Sequence, residues 1–428
     1  MKKIKAVIFG VGNRGKCYGG YAIEHPDELE IVQVVDTNKD ALEYAKKFFK
    51  LNDDQLFNSF EEWLANAPKI GDVVFNCTMD QYHYKTTLPL FKMGYDVLLE
   101  KPISVYPHEL NELLNESRKY NRKFAVCHVL RYAPFYKKIK EILLSGEIGK
   151  LVSLEMAEHV YIPHYLASYV RGKWRSESEC GSPMIMAKCC HDTDLICWLA
   201  GDSIPKMVSS FGERSVFIPK NKPEGASDRC LTCIHKTECQ YSCYFNLENK
   251  HMDPIIFQNA FKGKQWDELT IEDKEYVLLN SPSLGRCVFD GPQDLVDHQV
   301  TSVVFENGVT ASLNMIGGTS YPCRTFHAIT TSGELFGVME EGKLFVRKYQ
   351  KDKFWRELIE YDLNVHDGHG GGDLVLVGDF VKYLATGERT LSLTDVEDSI
   401  NGHLLAIGAD RSAKQGKTII FKDLKNEL

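Results

Sequence analysis

One short segment near the start of this chain restricts its fold more than any other. Residues 10–15 have the spacing Gly-x-Gly-x-x-Gly and directly follow the apolar run Lys5–Phe9. The next apolar run ends at Asp36, about twenty residues after the last glycine. This arrangement predicts a strand, a tight glycine turn and a helix whose free N-terminal amides hold a pyrophosphate. The alternative interpretation is a structural turn without a ligand.

The same segment predicts which residues would contact a dinucleotide. The glycines allow the backbone to approach the pyrophosphate closely, and Asp36 would accept hydrogen bonds from the ribose hydroxyls. Its carboxylate would repel a 2′-phosphate, so NAD is favoured over NADP. The contacts expected at this end of the cofactor are Gly10, Gly12, Asn13, Arg14, Gly15 and Asp36.

Residues 1–125 alternate short apolar runs with stretches of helical spacing. Strands that are apolar at consecutive positions are typical of a parallel sheet covered on both faces. Alternating strands and helices therefore predict an α/β Rossmann domain with a doubly wound sheet. The predicted strands are Lys5–Phe9, Glu30–Val35, Asp72–Cys77, Asp96–Leu99 and Lys123–Cys127.

The sequence pattern changes in residues 126–428. The predicted strands are longer there, and two helical regions follow them near the C-terminal end. This pattern predicts an α+β domain on one large, mainly antiparallel open sheet. A segment at 219–292, rich in charge, Cys and Asn, interrupts it as an insertion. The predicted strands are Leu151–His159, Lys206–Gly212, His298–Glu306, Thr310–Ile316, Phe326–Thr331 and Lys343–Tyr349.

Composition narrows the class of protein. A length of 428 residues suggests two or three domains, at roughly 150 residues each. Lys and Arg number 51 against 59 Asp and Glu, a net charge of −8, so no nucleic-acid partner is expected. No stretch approaches the roughly 20 apolar residues of a membrane span, so no membrane partner is expected. The thirteen cysteines are mostly scattered singly, which predicts reduced thiols in the cytoplasm.

A second motif lies at the carboxyl end of a predicted strand. Glu100-Lys101-Pro102 follows the run Asp96–Leu99, and ligands of doubly wound sheets bind outside such strand ends. Lys101 is therefore expected to face the nicotinamide end of the cofactor. A surface ion pair between Glu100 and Lys101 is the alternative interpretation.

Further short motifs accompany these two: Asn76-Cys77-Thr78 with His83, Ser145-Gly146-Glu147-Ile148-Gly149, Trp174-Arg175, and His191-Asp192-Thr193-Asp194. Together they resemble the glucose–fructose oxidoreductase / inositol dehydrogenase / rhizopine-catabolism (Gfo/Idh/MocA) family over nearly the whole chain. The resemblance implies a nicotinamide-dependent oxidoreductase acting on a hydroxyl of a sugar, cyclitol or related polyol. It also implies a C-terminal sheet that often mediates homo-oligomers, here a dimer or tetramer. The cofactor contacts expected beyond the glycine loop are Thr78, His83, Glu100, Lys101, Trp174 and Arg175.

Two residues are predicted to carry the chemistry, Lys101 and His191. Oxidation of an alcohol needs a base for the hydroxyl proton, and an imidazole titrates near neutral pH. Lys101 would stabilise the developing alkoxide or relay the proton. The family commonly has an aspartate four residues before this histidine, whereas this chain has Ala187 followed by Lys188. The inherited proton-transfer scheme is thus incomplete here, and a buried, carbonyl-bonded histidine is the alternative interpretation of His191.

Two loops carry polar and aromatic side chains that suit a polyhydroxylated ligand. One precedes the Trp-Arg motif, and the other, at 366–373, is rich in His and Gly. For any one of these residues, a surface position without a contact to the ligand is an equally good interpretation. The expected substrate contacts are His164, Tyr169, Arg171, Lys188 and His369.

Three functions fit these motifs. The first is an NAD-dependent dehydrogenase of a sugar, glycoside or cyclitol. The second is a glycosidase that oxidises the sugar ring transiently with bound NAD and reverses the oxidation after elimination of the leaving group. The third is a ligand-sensing regulator that keeps the fold without catalysis, and the presence of both Lys101 and His191 argues against it.

A separate signal lies in the insertion, where four cysteines have the spacing C-x2-C-x5-C-x3-C. Two close pairs of cysteines can supply four thiolates to a tetrahedral metal ion. The bound metal would stabilise a short polar segment that has no hydrophobic core of its own. The pairing favours structural zinc over an iron–sulfur cluster, and four metal-free thiols are the alternative. The predicted ligands are Cys230, Cys233, Cys239 and Cys243, with His235 as a substitute.

Overall fold

The computed structural model describes residues 2–257, 261, 264–291, 294–351, 357–365 and 368–428. Two sheets organise these residues, a six-stranded parallel sheet in the N-terminal part and a nine-stranded, mostly antiparallel sheet after it. This arrangement confirms the predicted Rossmann domain and the predicted α+β domain. Among the described residues, no helix combines the length and the apolar character that crossing a bilayer requires.

The first sheet has the strand order β3-β2-β1-β4-β5-β6, and all of its pairs are parallel. Its central strands are buried at nearly every position, as the consecutive apolar residues predict. Five of the six strands were predicted. Strand β3 was not, because its two residues are too few to show a hydrophobic period. The strands are β1 Ile4–Phe9, β2 Leu29–Val35, β3 Leu56–Phe57, β4 Val73–Asn76, β5 Asp96–Leu99 and β6 Phe124–Val126.

Helices cross over between these strands, and local sequence sets where they begin. The Asn38 side chain accepts hydrogen bonds from the first amides of α2, and Pro107 lies in the first turn of α5, where a missing N–H costs little. The five helices are α1 Asn13–Glu24, α2 Lys39–Phe49, α3 Phe60–Asn66, α4 His83–Lys92 and α5 Pro107–Lys119.

The second sheet has the order β14-β13-β12-β11-β7-β10-β9-β8-β15, in which only β7 and β10 pair in parallel. Three of its strands, β12, β14 and β15, were not predicted. The sequence of β12 begins with a glycine and contains a second one, β14 is an exposed edge rich in charge, and β15 has two residues. The strands are β7 Leu151–Tyr161, β8 Pro205–Glu213, β9 His298–Phe305, β10 Thr310–Thr319, β11 Cys323–Thr330, β12 Gly333–Val338, β13 Lys343–Lys348, β14 Glu357–Asp362 and β15 Ile419–Ile420.

The remaining helices cover both sheets and build the insertion. The C-terminal helix α13 packs against α1, and its buried residues Leu376, Val377 and Phe380 belong to the same apolar cluster as β1. The chain therefore returns to the first sheet near its end. The helices are α6 Pro134–Ser145, α7 Ile162–Tyr165, α8 Glu177–Cys180, α9 Met184–Ala187, α10 Cys190–Leu199, α11 Asp253–Ile256, α12 Ile271–Asn280, α13 Gly372–Thr386, α14 Val396–Gln415 and α15 Phe421–Lys425, with a π-helical turn at Leu166–Val170.

Candidate active site

The glycine loop joins β1 to α1 and requires its glycines for two different reasons. Gly10 has a φ of +83°, and a Cβ there would lie 2.6 Å from the carbonyl oxygen of Cys77. A Cβ at Gly15 would lie 2.1 Å from the carbonyl oxygen of Gly10. The Cβ position of Gly12 has no atom within 4 Å, so the backbone there is open. This open turn at the start of α1 fits the pyrophosphate of a dinucleotide.

Asp36 follows β2 and faces the same loop. Its carboxylate accepts hydrogen bonds from the N–H of Val11, at 2.7 Å, and from the N–H of Asn38, at 2.8 Å. The carboxylate is therefore fixed beside the glycine turn. A negative charge held at this place matches the predicted ribose contact.

A cleft of about 820 Å³ extends along the carboxyl ends of β1, β2 and β4, a volume typical of ligand sites, which reach roughly 1,000 Å³. Its opposite wall comes from the loop after the π-helical turn and from the insertion, through Ile255, Ile256 and Leu284. Sequence reasoning missed Thr37, Gln81, Lys85 and Lys173, which line the cleft without belonging to a recognisable motif. The predicted residues that line it are Gly10, Gly12, Asp36, Thr78, Arg171 and Arg175.

Three predicted cofactor contacts lie beside the cleft and brace its walls. The side chain of Asn13 donates to the carbonyl oxygen of Pro254 in the insertion, at 2.9 Å. The ring of His83 bridges the carbonyl oxygens of Pro102, at 2.6 Å, and Thr78, at 3.0 Å. The indole N–H of Trp174 donates to a carboxylate oxygen of Asp80, at 3.3 Å.

The predicted residues Arg14 and Glu100 meet in a buried ionic network. The Arg14 guanidinium binds Glu100 at 3.0 Å and Asp373 at 2.6 Å. Burial opposes the ionisation of Glu100, but the charges of Arg14 and Lys101 outweigh it and lower the pKa of that carboxyl. Burial also opposes the ionisation of Asp373, whose pKa is nevertheless lowered by its bond to His369 and by Arg14. Asp373 was not predicted, because its partner Arg14 lies 359 residues earlier in the chain.

Lys101 follows β5 and His191 lies in α10, and neither is among the residues that line the cleft. The ammonium of Lys101 donates to the carbonyl oxygen of Ala187, at 2.9 Å. His191, in the first turn of α10, is 4% exposed, and its Nδ1 is buried without a hydrogen-bond partner. Burial, and after it the charges of Lys101 and His369, lower the pKa of His191 well below the usual value. The ring is therefore neutral at physiological pH and able to accept a proton.

One predicted substrate residue, His369, lies beside His191, and two others, His164 and Tyr169, lie beside each other. The ring of His369 lies 5.5 Å from that of His191, between centroids. Burial, and after it the charge of Lys188, lower the pKa of His164 well below the usual value. Tyr169 is buried, with its ring 6.0 Å from that of His164. Residues 366 and 367 of the second predicted loop lie outside the described residues.

The charged residues next to this group neutralise one another. Lys188 binds Glu158 at 3.1 Å, and Glu158 also binds Arg324 at 2.7 Å. Arg324 in turn binds Asp192 at 2.9 Å. This chain of contacts joins α10 to β7 and β11, so the sheet of the second domain supports the residue that follows His191.

Arg171 is oriented toward the insertion. Its guanidinium donates to the carbonyl oxygens of Arg286, at 2.7 Å, and Tyr241, at 2.8 Å, and lies 3.2 Å from the sulfur of Cys230. The side chain is 4% exposed and lines both the cleft and a small cavity among cysteines.

The four predicted metal ligands lie in one region without forming a compact set. The thiols of Cys230 and Cys243 are neighbours, and all thirteen cysteines are free thiols. Among the residues that the structure describes, the one group of three or more ligand atoms within 4.8 Å of one another is His128, Cys190 and His403. Within the described part of the insertion, no three cysteine sulfurs therefore lie within 4.8 Å of one another.

A parallel sheet with a glycine turn after β1 and an acidic residue after β2 is typical of a dinucleotide-binding Rossmann protein. Residues 4–128 match the model of the oxidoreductase family with an NAD-binding Rossmann fold (GFO/IDH/MocA), and residues 136–246 match the GFO/IDH/MocA C-terminal domain. The chain belongs to the GFO/IDH/MocA family of oxidoreductases.

Individual relatives agree with this assignment. "Putative oxidoreductase YteT" of Bacillus subtilis (strain 168) is 26% identical over 372 residues, covering 82% of each chain. The scyllo-inositol 2-dehydrogenase (NADP(+)) IolW of the same organism is 24% identical over 207 residues, covering 48% of this chain and 54% of that protein.

Solved structures share the fold over nearly the full length. A levoglucosan dehydrogenase in complex with NADH and levoglucosan has a TM-score of 0.71 at 15% identity, covering 98% of this chain and 100% of that one. The WlbA dehydrogenase from Bordetella pertussis, in complex with NADH and UDP-GlcNAcA, has a TM-score of 0.65 at 16% identity, covering 98% and 99%.

Proposed function

We propose that this oxidoreductase is NAD-dependent and oxidises a hydroxyl of a sugar, glycoside or cyclitol. The observation that carries the proposal is His191, a buried neutral imidazole with an unpartnered Nδ1 under the influence of the Lys101 charge. A buried imidazole nitrogen without a partner in the protein is free to accept a hydrogen bond from a bound hydroxyl.

His191 and Lys101 have different roles in this reaction. Conversion of CH–OH to C=O removes a hydride from carbon and a proton from oxygen. Bound NAD supplies the hydride acceptor. His191 accepts the hydroxyl proton, and Lys101, held by the carbonyl of Ala187, stabilises negative charge on the oxygen.

The preference for NAD over NADP rests on Asp36. Its carboxylate is fixed by the amides of Val11 and Asn38 and lines the cleft. A 2′-phosphate at this place would meet a like charge, whereas ribose hydroxyls would find an acceptor.

The proposed substrate class rests on the predicted substrate residues and on the relatives. His164, Tyr169, Lys188 and His369 combine aromatic surface with hydrogen-bonding groups, which suit a small ring bearing several hydroxyls. Relatives are named for levoglucosan, scyllo-inositol and D-xylose. All of these are small and polyhydroxylated.

Two further properties complete the proposal. The open face of the second sheet exposes Phe211 and Val300 as cross-strand neighbours, which supports a homo-oligomer through that face. Thirteen free thiols support a reducing compartment such as the cytoplasm. Light scattering of the purified protein would establish the oligomeric state.

A substrate screen tests the function. The protein is incubated with NAD and a panel of sugars, glycosides and inositols, and NADH formation and aglycone release are followed together. At least one polyol should yield NADH. Aglycone release without net NADH would instead identify the glycosidase, and no reaction in either direction would contradict the proposal.

A further inference from the structure

The insertion between β8 and β9 has little regular structure among those of its residues that the structure describes. It consists mainly of short 3-10 turns, with the helices α11 and α12, and its apolar cluster is small. Segments of this kind commonly need an additional constraint to hold one conformation. The cysteines of the insertion supply the chemistry for one.

A backbone pairing brings a fifth cysteine into this region. Arg229 and Arg286 form an antiparallel bridge. The N–H of Cys230 donates to the carbonyl oxygen of Gly285, at 2.9 Å, and the N–H of Cys287 donates to that of Asp228, at 2.8 Å. Cys230 and Cys287 each lie one residue after the bridged pair, on two adjacent segments, although their positions differ by 57 along the chain.

A small cavity lies between these two strands and the turn that follows. The thiols that line it belong to Cys230, Cys233, Cys239 and Cys287, whereas Cys243 does not line it. Cys243 is fully buried in the apolar cluster of the insertion, which also contains Cys230. His235 also lines the cavity, but its Nε2 lies 2.9 Å from the carbonyl oxygen of Glu224 and is engaged there.

We propose that Cys230, Cys233, Cys239 and Cys287 bind one zinc ion as four thiolates, with Cys287 in place of the Cys243 expected from sequence. The cavity measures about 20 Å³, more than the roughly 10–15 Å³ that a single water needs, so it has room for one ion. Zinc binding displaces the four thiol protons to solvent and draws the sulfurs together into a tetrahedron.

The surroundings of the cavity suit the charge of such a site. Four thiolates around a divalent ion carry a net charge of −2, which burial makes costly unless a cation is near. The Arg171 guanidinium lies 3.2 Å from the sulfur of Cys230 and is itself 4% exposed. A buried donor to a metal-bound sulfur is the usual outer partner of a thiolate site.

The site would stabilise one wall of the cofactor cleft. Ser281, Ser283 and Leu284 line the cleft immediately before the strand that carries Cys287. Arg171 joins the same strand through its bond to the carbonyl of Arg286. A metal at the cysteines therefore fixes the wall opposite the glycine loop, whatever substrate the enzyme oxidises.

Metal analysis of matched variants tests the ligand set. Untagged wild-type protein, Cys287→Ser and Cys243→Ser are dialysed against EDTA, and zinc, iron and acid-labile sulfide are measured per chain. Wild type and Cys243→Ser should retain about one zinc, and Cys287→Ser should retain at least about tenfold less. Loss of zinc from Cys243→Ser with retention in Cys287→Ser, iron with labile sulfide, or no metal in wild type would each overturn the proposal.

A second measurement keeps the test decisive if Cys287→Ser fails to fold. X-ray absorption of the wild-type protein and of Cys243→Ser should show four sulfur neighbours at about 2.3 Å from zinc in both. A first shell that loses a sulfur in Cys243→Ser, or that contains nitrogen, would contradict the four ligands named here. Neither measurement depends on the identity of the substrate.

Discussion

At the scale of single residues, the protonation state of His191 decides whether it can act as a base. Burial, and after it the charge of Lys101, lower the pKa of His191 well below the ordinary value of about 6.5. We expect the acid limb of the kcat/KM profile to lie below that pH. Lys101→Met removes the positive charge that lowers the pKa of His191. The acid limb of the kcat/KM profile for the remaining activity should therefore move to higher pH. A limb that stays in place or moves down would contradict the electrostatic coupling of the two residues.

The same shift has a consequence for stability. Below pH 6.5 the unfolded chain binds a proton at this histidine that the folded protein does not bind. The contribution of His191 to the free energy of unfolding therefore falls as the pH falls through the ordinary histidine range.

A second residue-scale prediction concerns Asp36. The wild-type protein should bind NADH more tightly than NADPH. Asp36→Asn should reduce this difference in affinity, because asparagine removes the negative charge but keeps one oxygen that can accept from the loop amides. Fluorescence titration of both cofactors measures it. Asp40→Asn, in the first turn of α2, is the control and should leave the preference unchanged. A wild-type preference for NADPH would refute the role of Asp36.

At the scale of elements, a buried ion pair fixes the helix that carries His191. Arg131, after β6, binds Asp194 of α10 through two hydrogen bonds of 2.7 and 2.6 Å, and both side chains are at most 2% exposed. Asp194→Ala leaves the guanidinium buried without its partner, which should lower the free energy of unfolding by about 3–5 kcal/mol. Urea denaturation measures the change.

The control for that prediction is an exposed pair. Lys382 and Glu388 form an ion pair with side chains 52% and 67% exposed, so Glu388→Ala should change the free energy of unfolding by no more than about 1 kcal/mol. Equal effects of the two substitutions would show that the buried pair does not hold α10.

Elements also show what the sequence could and could not predict. The strands of the Rossmann sheet were predictable because each is buried on both faces and reads as a continuous apolar run. The edge strand β14 was not, because its exposed residues lack an apolar period. The glycine turn and Asp36 form a local pattern, whereas the contacts of Arg14 with Asp373 and of Cys230 with the strand of Cys287 join distant parts of the chain. No single-sequence period encodes such contacts.

At the scale of the whole molecule, the insertion and the Rossmann domain form the two walls of the cleft. Asn13 donates to the carbonyl oxygen of Pro254, and Lys16 donates to the side chain of Gln265, at 2.8 Å. We expect NADH to slow hydrogen exchange in the loop 10–15 and also in 281–284, because both line the cleft. Protection confined to the glycine loop would show that the insertion does not contact the cofactor.

The central claim is that Lys101 and His191 carry out net oxidation of a polyol with NAD. The most direct test is the number of NADH molecules formed per molecule of carbonyl product, measured by absorbance and mass spectrometry on a substrate from the screen. We predict one NADH per carbonyl product in the wild-type protein. Turnover should be at least about 10²-fold lower in Lys101→Met and in His191→Ala. The control His108→Ala, at an exposed position of α5, should leave turnover unchanged. Product formed without NADH, or full turnover in either variant, would contradict the account.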